Sequence, residues 1–142
     1  MPHLFVYGSL QFPELVTALT GEQFPYVPVT LNGFVRGRAT GRDYPGIVQK
    51  PGSITDGFLM EDVDEKSMQI LTFFEGDEYT KQQVTVFSSD KKISAFTFVW
   101  ISDNDLLVEA DWDADAFKNK SLKIYLNKVV PETLAAFAAL NL

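Results

Sequence analysis

The stretch LFVYGSL, residues 4–10, combines a run of apolar and aromatic side chains with an immediate turn signal. An uninterrupted apolar run of this length is typical of a strand that is buried in a protein core. Gly8 and Ser9 end the run, since both residue types favour turns. We therefore predict a core strand over 3–7 that stops at Tyr7.

The turn after this strand is also a candidate anion site. A glycine followed by a short residue lets successive backbone N–H groups point at one spot, and such nests bind carboxylates. A helix that begins near Pro13 would add its positive end. A plain tight turn is the alternative interpretation of Tyr7 to Leu10.

Composition limits the class of protein. The chain has 142 residues, 46% hydrophobic and 22% charged, which fits a single domain over 1–142. Its net charge of −7 argues against a nucleic-acid partner, because a polyanion would be repelled. No apolar run approaches the length of a membrane span, and no signal-peptide pattern occurs. We expect no membrane partner and a cytoplasmic location.

Several kinds of catalytic chemistry require residues that this sequence lacks. The absence of cysteine removes disulfides, thiolate nucleophiles and cysteine-bound zinc. His3 is the single histidine, which is too few for a metal cluster. No HExxH, GxSxG or P-loop pattern occurs. We expect neither a metal nor a cofactor.

Hydrophobic spacing and turn residues predict an α+β protein. Strands are predicted at 3–7, 26–35, 54–61, 82–88 and 92–101, with short strands and turns over 36–50 and an acidic loop over 103–113. Helices are predicted at 13–19, 62–74, 114–126 and 131–142. Pro28 suggests an edge or a bulge. This order indicates one strongly curved sheet or a small barrel, flanked by helices.

The predicted middle helix carries its own start and stop signals. Asp62, followed three residues later by Glu65, resembles a capping box. Gly76 stands where a helix C-terminal glycine belongs.

Glu75 is a candidate acid–base residue. It lies at the C-terminal end of the predicted helix, which is the negative end of the helix dipole, and two phenylalanines precede it. Both surroundings disfavour the charged carboxylate and would raise its pKa, which suits proton transfer near neutral pH. An exposed acidic turn is the alternative, since Asp77 and Glu78 follow.

Other polar and aromatic positions allow two interpretations each. The three arginines, Arg36, Arg38 and Arg42, would bind a substrate carboxylate or pair with the many acids. The turn at 43–46 would line a pocket mouth. Tyr79 and Trp112 are aromatic residues in polar surroundings and would anchor the core or contact a ligand.

Three segments together resemble the γ-glutamylcyclotransferase superfamily, most closely its γ-glutamylamine cyclotransferase and plant avirulence-induced-gene-like branch. They are FVYGSL at 5–10, GRDYPGI at 41–47 and LTFFEGDEYTKQQV at 71–84. The segment ADWDADAFK at 110–118 is similar to a tryptophan-containing segment of the plant-type members. Lys81 is a departure, because many relatives have an arginine there.

The resemblance implies a fold and a reaction. The fold is a small mixed β-barrel flanked by helices, with a cavity at one barrel end. In the reaction, the α-amine of a γ-glutamyl compound attacks its own γ-carbonyl, which gives 5-oxoproline and a free amine. The resemblance makes Glu75 the catalytic acid/base and makes Tyr7, Gly8, Ser9 and Leu10 the substrate-binding loop. Tyr79 is a further candidate pocket residue.

We therefore expect a cofactor-independent transferase or lyase that acts on a small-molecule γ-glutamyl substrate. The alternative is a non-catalytic domain of the same fold that binds an acidic metabolite. A third interpretation, a protein-interaction domain, would require an exposed apolar patch. The leaving amine and the oligomeric state stay open at this point.

Overall fold

The computed structural model describes residues 2–103, 105–107 and 111–140. Its strands are β1 (Leu4–Val6), β2 (Tyr26–Ala39), β3 (Pro45–Met60), β4 (Tyr79–Ser88), β5 (Lys91–Trp100) and β6 (Leu106–Leu107). Its α-helices are α1 (Pro13–Thr20), α2 (Glu65–Glu75), α3 (Ala114–Lys120), α4 (Leu122–Ile124) and α5 (Val130–Leu140). Short 3₁₀ turns at Ser9–Gln11 and Gly76–Glu78 and a π turn at Tyr125–Val129 join them.

Five of the described strands close into a barrel. The strand order is β3-β1-β5-β4-β2, and β2 pairs with β3 to complete the ring. β1 runs parallel to β5, whereas its pairing with β3 is antiparallel, so the barrel is mixed. β6 extends the sheet beside β2. The predicted α+β fold with a small mixed β-barrel is therefore confirmed.

One long hairpin replaces the short strands predicted for the region around residue 40. β2 continues to Ala39 and β3 begins at Pro45, so a single turn joins them. The ladder's register shift lies at Gly33, where φ is 83°, and not at Pro28, which pairs regularly with Phe58. Of the two alternatives predicted for Pro28, an edge or a bulge, the bulge is therefore wrong. The bulge lies at Gly33, because glycine adopts this backbone conformation without strain.

The core consists of two clusters that meet at β1. Leu4 and Val6 belong to a cluster beneath the helices, while Phe5 and Tyr7 belong to a second cluster built from the barrel strands. Successive side chains of a strand point to opposite faces, so β1 contributes to both clusters. All four side chains are buried, which confirms the predicted core strand.

The start of α2 differs from the prediction. Asp64, and not Asp62, caps the helix, because its carboxylate accepts the Ser67 N–H at 3.1 Å. Asp62 adopts a left-handed conformation with φ of 54°, and its own N–H donates to Nδ1 of His3. The capping box at Asp62 was therefore wrong. Gly76 ends the helix as predicted, with φ of 77°.

The C-terminal helices run past the predicted break. The sequence predicts that Pro131 opens a separate helix, but helical backbone continues from α4 through the π turn into α5. The N–H of Val130 donates to the carbonyl of Tyr125, five residues earlier. This wide turn lies next to a proline that lacks an N–H donor. Residues 141 and 142 of the predicted helix, and parts of the predicted loop 103–113, lie outside the described residues.

No described helix combines the length and apolar character that a membrane crossing requires.

The cap at α2 gives a stability prediction. Asp64→Ala removes the acceptor of the Ser67 N–H, so we expect the free energy of unfolding to fall by about 1 kcal/mol. Asp62→Asn keeps a residue type that tolerates positive φ, and we expect a change within about 0.5 kcal/mol. Urea denaturation measures both values. An unchanged free energy of unfolding in Asp64→Ala would show that the cap is assigned to the wrong residue.

Candidate functional site

A cavity of about 270 Å³ opens where β1, α2 and the π turn meet. Its lining comprises Phe5, Val6, Tyr7, Gly8, Ser9, Leu10, Tyr44, Pro45, Phe74, Glu75, Glu78, Tyr79, Phe98, Tyr125 and Val129. The lining is mostly aromatic and apolar, with two carboxylates. Within the described part of the chain, no lysine or arginine lines it.

Glu75 is an acid of the cavity with a perturbed pKa. It is the last residue of α2, and the backbone turns away at Gly76 immediately after it. Burial removes water from its carboxyl and raises the pKa from 4.5 to about 8. Among the described residues, none donates a hydrogen bond to this carboxylate or pairs with it. The carboxyl is therefore available to a molecule in the cavity.

The loop after β1 offers backbone donors to the same cavity. Gly8, Ser9 and Leu10 are buried. The Gly8 carbonyl accepts the N–H of Gln11 at 2.9 Å in the 3₁₀ turn. Between described residues, the N–H groups of these three residues donate no hydrogen bond. Buried N–H groups are normally satisfied, so three successive unpaired donors indicate space for an acceptor.

Gly8 is required by the close approach of the hairpin. A Cβ atom at this position would lie 2.8 Å from Cγ of Pro45. Pro45 is in turn held by Tyr79, whose hydroxyl donates to the Pro45 carbonyl at 2.5 Å. Strand β3 therefore fixes the far side of the loop, and Tyr79 fixes β3 against the cavity.

Four tyrosines keep their protons in this environment. The Tyr7 hydroxyl donates to the Phe98 carbonyl at 2.6 Å, and burial together with Glu75 raises its pKa. Tyr44 donates to Glu78 at 2.5 Å, and burial with this carboxylate raises its pKa to about 12. Burial likewise raises the pKa of Tyr79 and Tyr125, the latter beside Asp43.

The structure brings together all six residues that the sequence singles out for the site. Tyr7, Gly8, Ser9, Leu10, Glu75 and Tyr79 all line the cavity. Their roles in binding and catalysis stay predictions. The turn at 43–46 also reaches the cavity through Tyr44 and Pro45, as expected from the sequence.

The arginines lie elsewhere. Arg36 forms a two-point ion pair with Asp111, at 2.8 and 3.2 Å, which matches pairing with acids and not direct binding of a carboxylate in the cavity. Arg38 and Arg42 are exposed. Lys81 lies outside the cavity, with its ammonium 5.3 Å from the centre of the Phe96 ring.

Trp112 anchors the core near the site. It is buried, packs against Phe12 and Phe117, and donates its indole N–H to the Asp43 carbonyl at 2.8 Å. It thereby holds the turn that carries Tyr44 to the cavity.

Sequence reasoning missed Tyr125 and Val129. Both reach the cavity from the two ends of the π turn. A π turn has no simple sequence signature, and the spacing around it predicted a break between two helices. Pro131, two residues after Val129, is the sequence feature that could have indicated an irregular helical turn here.

Metal ligation has no support in the described residues, since no group of three or more histidine, cysteine, aspartate or glutamate side chains is arranged to hold an ion.

The contact between Gly8 and Pro45 can be tested by a double-mutant cycle. Gly8→Ala forces a methyl group against the proline ring, so we expect a loss of about 2 kcal/mol in the free energy of unfolding. Pro45→Ala removes the ring atoms that obstruct the methyl group. In the Pro45→Ala background, Gly8→Ala should therefore lower the free energy of unfolding by less than half as much as it does in the wild type. Strictly additive losses in denaturant melts would contradict this contact.

Comparison with known proteins shows the family and the fold of this chain. The family model described as Gamma-glutamyl cyclotransferase, AIG2-like, matches residues 4–114. AIG2-like protein C of Arabidopsis thaliana is 33% identical over 117 residues, which cover 81% of this chain and 68% of that protein. The solution structure of an Arabidopsis thaliana protein matches with a TM-score of 0.70 at 28% identity, covering 90% of this chain and 87% of that chain. A structure named Gamma-glutamyl cyclotransferase shares the fold, with a TM-score of 0.57 at 18% identity, covering 73% of this chain and 68% of that chain. The chain therefore belongs to the AIG2-like gamma-glutamyl cyclotransferase family.

Proposed function

We propose that this protein is a γ-glutamyl cyclotransferase that converts a γ-glutamyl amine or amino acid to 5-oxoproline and releases the free amine. One observation carries the proposal. A desolvated carboxyl with a raised pKa, Glu75, lines the same small cavity as Gly8, Ser9 and Leu10, whose backbone N–H groups are unpaired among the described residues. Family membership supports the same reaction class.

The N–H groups of Gly8, Ser9 and Leu10 would hold the α-carboxylate of the glutamyl group. With no lysine or arginine among the described lining residues, these backbone dipoles are the means of offsetting a negative charge. An anion held at this loop leaves the α-ammonium free to face Glu75.

Glu75 would then transfer two protons in turn from the attacking nitrogen to the leaving nitrogen. The substrate ammonium favours the charged carboxylate, and the pKa of about 8 brings the acid close to an amine in proton affinity. The carboxylate takes a proton from the ammonium, and the neutral amine attacks the γ-carbonyl. A carbon–nitrogen bond forms within the glutamyl group, and Glu75 gives its proton to the leaving nitrogen as the original γ-amide bond breaks. The ring nitrogen then loses its second proton to the Glu75 carboxylate, and this proton leaves with the released amine as its ammonium form.

No protein nucleophile is needed, because the attacking nitrogen belongs to the substrate. Holding the amine against the γ-carbonyl in a folded conformer can supply on the order of 7–11 kcal/mol of the barrier. The narrow cavity with rigid aromatic walls is suited to this task, since Tyr7 and Tyr79 are both tied to backbone carbonyls.

A domain of the same fold that only binds an acidic metabolite is the second candidate. A carboxyl placed beside a bound anion weakens binding, so Glu75 favours turnover over storage. Incubation with a panel of γ-glutamyl amino acids and amines, followed by measurement of 5-oxoproline, separates the two candidates. Binding without release of 5-oxoproline for every panel member would favour the second.

Glu75→Gln tests the catalytic assignment. The amide keeps the shape but cannot exchange the proton, so we expect kcat to fall by about 10²–10⁴-fold with the fold retained. Glu65→Gln makes the same change at an exposed position of the same helix and should keep wild-type activity. For the wild type, kcat/KM should rise with pH through a midpoint near 8, because the free enzyme needs the charged form of Glu75. Full activity of Glu75→Gln would refute the assignment.

A further inference from the structure

The guanidinium of Arg36, on β2, binds three other parts of the chain. Its Nη1 donates to the Tyr7 carbonyl at 3.0 Å and to the Asp56 carbonyl at 3.2 Å. Its Nε and Nη2 donate to the two carboxylate oxygens of Asp111 at 2.8 and 3.2 Å. The Arg36 side chain is only 18% exposed, and Asp111 fixes its orientation by a planar two-point contact.

The carbonyl that Arg36 binds belongs to the peptide that carries the first N–H of the proposed anion site. The Tyr7–Gly8 peptide is trans, so its C=O and N–H point in opposite directions. With the Tyr7 carbonyl held by Arg36 on one side, the Gly8 N–H is directed to the other. Gly8 lines the cavity, and its N–H finds no acceptor among the described residues.

We infer that Arg36 is a positioning residue for the carboxylate site: by binding the Tyr7 carbonyl from outside the cavity, it aims and polarises the Gly8 N–H that receives the substrate carboxylate. The inference rests on the proposed function. A charge-assisted hydrogen bond to a peptide oxygen makes the N–H of that peptide a stronger donor. A positive charge thus acts on the substrate anion through one peptide group without entering the cavity.

The position of Arg36 outside the cavity also matters for the pKa of Glu75. A cation inside the cavity would pair directly with Glu75 and lower its pKa, whereas Arg36 donates to Tyr7 and Asp111 and no ion pair joins it to Glu75. The positive charge of Arg36 would therefore strengthen the proposed anion site without forming an ion pair with Glu75.

The test uses the Gly8 amide itself. Labelling with ¹⁵N-glycine gives at most nine backbone signals, one for each glycine of the chain. We expect Arg36→Gln to shift the Gly8 signal in the free protein and to weaken binding of L-glutamate, followed at this signal, by about 10-fold. Arg38→Gln removes the same charge two residues along β2 at an exposed position and should change neither value.

Steady-state kinetics provide a second measure. Arg36→Gln should raise KM for an active γ-glutamyl compound by about 10-fold and leave the pH midpoint of kcat/KM near 8, since Glu75 is untouched. A merely structural role would lower the unfolding midpoint without moving the Gly8 signal or KM at a temperature where the variant is folded.

Asp111→Ala covers the case in which Arg36→Gln fails to fold. Asp111 is 62% exposed, and its removal deprives Arg36 of its anchor. It also removes the acceptor of the Trp112 backbone N–H, at 2.8 Å. We expect a shift of the Gly8 signal in the same direction and a weakening of L-glutamate binding by about 3-fold.

Two results would overturn the inference. One is a folded Arg36→Gln or Asp111→Ala variant with an unmoved Gly8 signal and wild-type affinity for L-glutamate. The other is a wild-type protein whose Gly8 signal does not respond to L-glutamate at all. If the wild type instead binds L-glutamate at Gly8 but releases no 5-oxoproline from any panel member, the proposed turnover fails while the role of Arg36 is still decided.

Discussion

Burial of the Glu75 carboxyl depends on three parts of the fold that are far apart in sequence. α2 ends at Glu75, the loop after β1 faces it, and the π turn before α5 brings Tyr125 to the same cavity. Together they remove water from a single carboxyl and raise its pKa to about 8. The position at a helix C-terminus acts in the same direction, because the negative end of the helix dipole disfavours a carboxylate.

This burial reduces stability in a defined range of pH. The folded protein binds the Glu75 proton more tightly than the unfolded chain, whose ordinary pKa is 4.5. The free energy of unfolding therefore falls as pH rises from 4.5 to about 8, where the folded carboxyl also ionises. Neighbouring tyrosines do not offset this cost, because Tyr7 and Tyr79 donate to backbone carbonyls and not to Glu75. The Glu75 carboxyl is therefore left for a ligand.

Much of the barrel and of the site could be predicted because local signals agree with the tertiary structure there. The apolar run before Gly8 and the alternating residues of β4 and β5 predict strands, and the structure has strands there. Gly76 predicts the end of the helix that carries Glu75. Other features depend on long-range contacts. In the sequence Asp62 resembles the helix cap. In the structure its N–H donates to His3, and Asp64 is the residue whose carboxylate accepts the Ser67 N–H at the start of α2.

The arginine cluster shows a second limit of the sequence. Spacing cannot tell which of three neighbouring arginines is held by an acid 75 residues away, as Arg36 is by Asp111. The π turn is a third case, because its lining residues follow from helix geometry that no short motif encodes. In each case the deciding partner is distant in the chain, so only the assembled fold reveals it.

Titration of Glu75 tests most directly whether this residue is a desolvated acid in the cavity. In protein labelled with ¹³C-glutamate, the side-chain carboxyl signal of Glu75, assigned by its loss in Glu75→Gln, should titrate with a midpoint near 8. A Glu75 midpoint near 4.5 would contradict the account.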